Sequence, residues 1–175
     1  MYAAIVRHKL LKIFAALSRG ESGPMVDSLA ARFEYRFEGD SPIGGLRTEK
    51  ESIRLWWARL YRLFPGLSFE VREVAVVGPP WNTRIHVLMD FVVPHTQAGA
   101  DRPYRNVVMQ FMRMRWGKVW HIHTLEDTER CARYLAWAHA QGRNEARAGA
   151  ISDRPWPDPG PFMAAQASAT SPQPA

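Results

Sequence analysis

The chain has 175 residues, 46% of them hydrophobic and 11% aromatic, which suits one domain with a sizeable core. A net charge of +6 and a pI near 9.9 raise nucleic acid as a partner. The basic residues, however, sit beside acids, as in residues 48–54 (TEKESIR) and 69–74 (FEVREV), and no Lys/Arg block or base-stacking motif occurs, so no nucleic-acid partner is expected. The single cysteine, Cys131, excludes an intrachain disulfide and fits a reducing compartment. At the N-terminus Arg7, His8, Lys9 and Lys12 interrupt the apolar residues, so a signal peptide is not expected. Nothing reaches membrane-spanning length, and a cytoplasmic protein without a membrane partner follows.

A first helix is expected from Tyr2 to Ser18, since Val6, Leu10, Ile13, Phe14 and Leu17 recur at helical spacing and Gly20 is a plausible stop. A short second helix follows Gly23-Pro24, with Met25, Leu29 and Phe33 as its apolar stripe. FEYRF, residues 33–37, reads as a short strand before the turn-rich 39–45. Thr48 and Glu51 form a capping-box pattern for a third helix, in which Ile53, Trp56, Trp57, Leu60 and Phe64 share a face and Pro65-Gly66 ends the run.

The period then changes from helical to alternating. Residues 67–77 and 82–93 read as strands turned at Gly78-Pro79-Pro80, and 95–103 as a polar loop. Residues 104–126 read as two more strands joined at Trp116-Gly117, and a last helix begins near Asp127. Residues 1–145 thus form an α+β domain: an antiparallel sheet packed on three N-terminal helices, with a C-terminal helix. Residues 146–175, rich in Pro and Ala, are expected to be a mostly disordered tail that Trp156 and Phe162 could pin to the surface.

The late hairpin carries the candidate chemistry. His121 and His123 are two apart on one strand, so they share a face. With a two-residue turn, Arg115 pairs Lys118, Met112 faces His121, Gln110 faces His123 and Asn106 faces Asp127. One face then holds Asn106, Gln110 and both imidazoles as a pocket lining, and the other holds Arg113, Arg115 and Trp120. Tryptophan disfavours φ > 0, and a three-residue bulged turn would shift the partners by one. An imidazole suits acid–base work because it titrates near neutrality. The alternative is that both are hydrogen-bonded and only pack. Asp127 is equally placed to cap the last helix. Asp90 either faces the same cavity or lies exposed on its strand. No metal-site spacing, phosphate loop or dinucleotide fingerprint is present, and neither metal nor cofactor is expected.

The succession FEYRFEGDSPIGGLR, a capped helix, PPWNT, YRN, RMRWGKVWHIHTLEDT and a closing helix resembles the SnoaL-like polyketide cyclase family of the nuclear transport factor 2-like superfamily, over residues 1–142. That resemblance implies a cone: a strongly curved antiparallel sheet around helices, enclosing an apolar pocket. It also implies a homodimer and a small hydrophobic molecule as partner. Members include cofactor-independent isomerases, cyclases, dehydratases and hydrolases alongside non-catalytic proteins. The enzymes place an Asp or His acid/base on the late strands, and the matching positions here are His123, His121 and Asp127. Asn106 and Gln110 would bind a carbonyl, and Trp81, Phe37, Asp90 and Trp120 would line the site. Neither the Asp-Arg-Asp set of epoxide hydrolases nor the Tyr/Asp pair of steroid isomerases is recognisable. A non-catalytic domain that binds a hydrophobic ligand or dimerises is the competing reading.

Overall fold

The computed structural model describes residues 1–94 and 103–155; the expected polar loop and the far part of the expected tail, including Trp156 and Phe162, lie outside them. The elements in chain order are α1 (Tyr2–Leu17), α2 (Gly23–Ser28), β1 (Leu29–Phe37), β2 (Gly45–Arg47), α3 (Lys50–Leu63), β3 (Ser68–Val77), β4 (Thr83–Val93), β5 (Tyr104–Arg115), β6 (Lys118–Glu126) and α4 (Thr128–Ala140), followed by a 3₁₀ turn, Asn144–Arg147. The strands form one curved sheet in the order β2-β1-β6-β5-β4-β3. All neighbours are antiparallel except β1 and β6, which run parallel. No helix among the described residues is long and apolar enough to cross a membrane.

Each strand alternates, and the alternation decides which face the helices cover. Tyr35, Phe37, Ile85, Val87, Met89, Phe91, Val108, Met112 and Ile122 are buried on the inner face. Against them α3 lays Ile53, Trp56, Trp57, Leu60 and Leu63, and α1 lays Leu10, Phe14 and Leu17. Trp56 sits between Tyr35 (ring centroids 5.3 Å) and Phe37 (5.7 Å), and its indole N–H donates to the Ile43 carbonyl at 2.8 Å. On α4, Tyr134 stacks on Phe64 at 4.8 Å and donates its hydroxyl to the Leu63 carbonyl.

Several elements differ from expectation in instructive ways. The second helix stops at Ser28, so Leu29 and Phe33 are strand residues, buried at alternate positions of a longer β1. The turn-rich 39–45 leads into β2, whose three residues are all buried. The expected Thr48 box does not cap α3. The helix has no side-chain cap; instead the Asp153 carboxylate fixes the two residues just ahead of it from across the fold, accepting from Thr48 N, Thr48 Oγ1 and Glu49 N at 2.9–3.0 Å. Ser152 also binds Leu46, Arg59 reaches the Gly149 carbonyl, and Arg62 pairs with Glu145. Residues 145–153, most of them expected in the tail, thus form a strap over β2 and α3. Asp127 does cap α4, accepting from Arg130 N at 2.9 Å.

Candidate functional site

Trp116 (φ 51°) and Gly117 (φ 78°) form a two-residue turn with both residues in the left-handed region, and Arg115 pairs with Lys118 as expected. One step later the register changes. Met114 pairs with Val119 but Arg113 pairs with His121, leaving Trp120 as the extra residue of a β-bulge. Everything beyond the bulge on β6 is displaced by one position, and a one-residue slip exchanges the faces. Ile122, Thr124 and Glu126 therefore share the inner face with Val108, Gln110 and Met112, whereas His121 and His123 turn outward.

This corrects the shared face expected for the histidines with Asn106 and Gln110. On the outer face His123 Nε2 lies 2.6 Å from Glu38 Oε1, and His121 Nδ1 lies 3.9 Å from Glu34. Burial, more than the nearby Glu34, sets His121, holding its pKa below the usual value. Asp127 sits at the start of α4 with a half-exposed side chain. Trp120 is on the outer face under Arg113, whose guanidinium lies 5.7 Å from its ring. Trp81 is 56% exposed at the β3–β4 turn, away from the cavity lining. Asp90 neither faces the cavity nor is exposed: it lies on the outer face of β4, 2% accessible, gripped by Arg72 and Arg105 at 2.6 Å each. Its burial would raise its pKa, but the two guanidinium hydrogen bonds prevail and hold it below the usual carboxylate range.

Of the expected binding residues, Phe37 and Gln110 line the space between α1, α3 and the sheet, together with Phe14, Trp56, Trp57 and Met112. That space is about 50 Å³ and almost wholly apolar. Its polar feature is a cluster absent from the sequence reading. Gln110 Nε2 donates to Thr124 Oγ1 at 3.0 Å and approaches the Tyr35 hydroxyl at 3.4 Å. Burial pushes the Tyr35 phenol up to about 12, so it stays an O–H donor across the neutral range. Behind Trp56, the fully buried Arg47 lies with its guanidinium 4.8 Å from the indole and donates to the carbonyls of Ile43, Gly44 and Gly45. Burial without a carboxylate in contact lowers its pKa to about 10.

Asn106 is fully buried on the same inner face, next to the cavity rather than in it, and donates to Glu126 Oε2 at 3.0 Å and to the Asp127 carbonyl at 3.1 Å. Glu126 is one inner-face step beyond Thr124. Burial pushes its carboxyl up to about 7, against hydrogen bonds from Cys131 and Asn106 that favour the charged form. Burial likewise raises the free Cys131 thiol, which is no reactive thiolate. Tyr35, Thr124 and Glu126 were all accessible to the alternation rule. Tyr35 falls between Phe33 and Phe37, and the other two follow once Ile122 is placed inside. Among the described residues no group of three or more His, Cys, Asp or Glu side chains is arranged to hold a metal ion.

A family model described as a SnoaL-like domain matches residues 10–122, and the chain belongs to that family. Solved structures agree on the fold at low identity. An NTF2-like protein from Burkholderia thailandensis is 18% identical, with a TM-score of 0.62 over 74% of this chain and 96% of its own. A putative polyketide cyclase from Bacillus cereus is 14% identical, with a TM-score of 0.58 over 75% and 80%. Wild-type IdmH, a putative polyketide cyclase from Streptomyces antibioticus, is 16% identical, with a TM-score of 0.54 over 75% and 98%. No curated protein matches the sequence.

Proposed function

We propose that the protein binds a small, largely apolar molecule inside the cone and holds its one polar atom at the Tyr35–Thr124–Gln110 cluster. The supporting observation is the isolation of that cluster within an otherwise apolar lining, the usual composition of a small-molecule site. A carbonyl oxygen suits it, because a neutral Tyr35 can donate its O–H while its oxygen accepts from the Gln110 amide, which thereby holds the phenol in place. The kinship with putative polyketide cyclases is in keeping with a carbonyl-bearing, hydrophobic ligand. At about 50 Å³ the space is smaller than the roughly 150 Å³ cavity that accepts benzene in another protein, so binding requires lining side chains to move. Leu10, Ile13, Ser28 and Val119 line both this space and a surface groove between α1 and the late hairpin, which makes them the natural point of entry. Native mass spectrometry and crystal soaks with small aromatic ketones test the reading. Tyr35→Phe and Gln110→Leu are expected to weaken a bound ketone about tenfold each, the worth of one to two kilocalories of hydrogen bonding. If no ketone binds, or if both variants bind it unchanged, the reading fails.

Glu126 favours a second reading, cofactor-independent proton transfer of the isomerase, cyclase or dehydratase kind. A carboxyl with a pKa of about 7 suits acid or base work at neutral pH. Glu126 lies one inner-face step beyond Thr124, outside the cavity lining, so a ligand held at Tyr35 must extend toward it while Tyr35 donates to the developing enolate. On this reading Glu126→Gln abolishes turnover of a ligand found as above, whereas His123→Ala, His121→Ala and Asp127→Asn leave it intact. Loss of turnover with His123→Ala but not with Glu126→Gln would return the chemistry to the outward-facing histidines. A homodimer is part of either reading, formed through the outer sheet face, where Val107, Met109 and Leu125 are exposed.

A further inference from the structure

Exposed apolar side chains collect at one end of the cone, away from the outer-face residues just named. The tips of the β3–β4 and β5–β6 hairpins are tied together: Trp116 N–H donates to the Pro80 carbonyl at 2.7 Å, and the Trp81 and Trp116 rings are 6.0 Å apart. The first turn of α1 reaches the same end, since Tyr2 and Thr83 share a hydrogen bond of 2.7 Å and Ile5 and Lys9 line a groove with Gly117. There Trp116 is 69% exposed, Trp81 56%, Val77 61% and Ile5 50%.

Two further features bear on what covers this end. Trp116 occupies the left-handed region at the first position of a type I′ turn, where Asn, Asp or Gly is favoured. A bulky residue held there against its preference, with its indole in solvent, is one whose side chain is needed outside the fold. The surroundings are also cationic and unpaired. A groove of about 420 Å³ is lined by Ala30, Arg115, Trp116, Lys118 and Trp120, and contains no carboxylate. Among the described residues Arg84, Arg113, Arg115 and Lys118 form no ion pair, although Lys118 donates to the backbone carbonyl of Asp27, itself an exposed acid. The α1 helix adds Arg7, Lys9 and Lys12 and contains no acid.

We propose that this end of the cone docks on an anionic lipid bilayer. Tryptophans seat at the level of the headgroups, aliphatic side chains enter the acyl boundary, and basic residues are drawn to anionic lipid. The exposed Val77 and Ile5 favour a bilayer over single-stranded nucleic acid, which would use the rings and cations but has no place for aliphatic groups. The expectation of no membrane partner rested on the lack of a segment of spanning length, and surface docking needs none.

The full chain is sedimented with vesicles of phosphatidylcholine alone and of phosphatidylcholine mixed with phosphatidylglycerol. Binding is expected to the mixed vesicles and to weaken with salt. Trp116→Asn places a residue suited to the turn, so the fold is kept while the indole is lost, and binding should fall severalfold. Arg115→Glu with Lys118→Glu should reduce it on the order of tenfold or more, given about fivefold for each basic residue near an anionic surface. No binding to the mixed vesicles, or equal binding by wild type and both variants, overturns the proposal. So does retention of a single-stranded oligonucleotide without vesicle binding, or pairing of two chains through this end.

Discussion

The Glu126 carboxyl is largely buried beside the Asn106 amide, and that burial couples folding to pH. Its folded pKa of about 7 exceeds the ordinary 4.5, so the native state retains a proton that the unfolded chain has released. Between those values the folded state binds more protons, and stability therefore falls as pH rises through about 4.5 to 7 and is level above. The loss is on the order of 2 kcal/mol for a group that keeps part of its surface in solvent. Glu126→Gln should flatten this slope, read as the denaturant midpoint at about pH 5 and about pH 8; an unchanged slope would place the titration elsewhere. Asp90 acts in the opposite sense and in another window. Its lowered pKa contributes stability above the ordinary 3.8 that is lost as pH falls further.

Among the elements, the β5–β6 hairpin contains the most consequential detail, the extra residue at Trp120. Trp116→Asn should stabilise the protein by about 1 kcal/mol, since a bulky side chain in the left-handed region costs roughly that much and Asn tolerates it; thermal denaturation measures the gain. Asp153→Ala should cost about 1–2 kcal/mol by leaving the Thr48 and Glu49 N–H groups without their acceptor, with the change appearing as faster exchange of those two amides. The strands and long helices were legible in the sequence because apolar periodicity reports the buried face directly. The hairpin turn was legible too, since Trp116-Gly117 interrupts two alternating runs. The bulge was not: VWHIH reads as clean alternation whichever residue is extra, and the choice follows from what the inner face must bury, namely Ile122 and Thr124. Nor was β2 legible, because three residues are too few to show a period. The anchor of the chain leading into α3 was hidden for a different reason, its acceptor Asp153 being 105 residues from Thr48. The cavity lining was half visible, in Phe37 and Gln110. Tyr35 and Glu126 belong to no motif, and only their place on the buried face distinguishes them from the other tyrosines and glutamates of the chain.

At the level of the whole molecule, the sheet has one face covered by helices and the other bearing Val107, Met109 and Leu125 on adjacent strands. Met109→Glu would disrupt a dimer formed there, and sedimentation equilibrium would show a fall from dimer to monomer mass. A wild-type chain that already sediments as a monomer would dismiss that assembly. The parallel pairing of β1 with β6 has a further consequence, for the order in which the protein is made. Glu38, just beyond β1, meets His123 across 85 residues of chain, so β1 and β2 leave the ribosome as a two-stranded ribbon long before β6 exists. Such a ribbon is not stable alone, and although α3 follows at once to cover Tyr35 and Phe37, the edge of β1 that pairs with β6 must wait unpaired. Nascent chains halted before Lys118 are therefore natural clients for a chaperone. Folding from denaturant is expected to be slower than that of a helical bundle of this size, since β1 must pair with β6 across most of the chain.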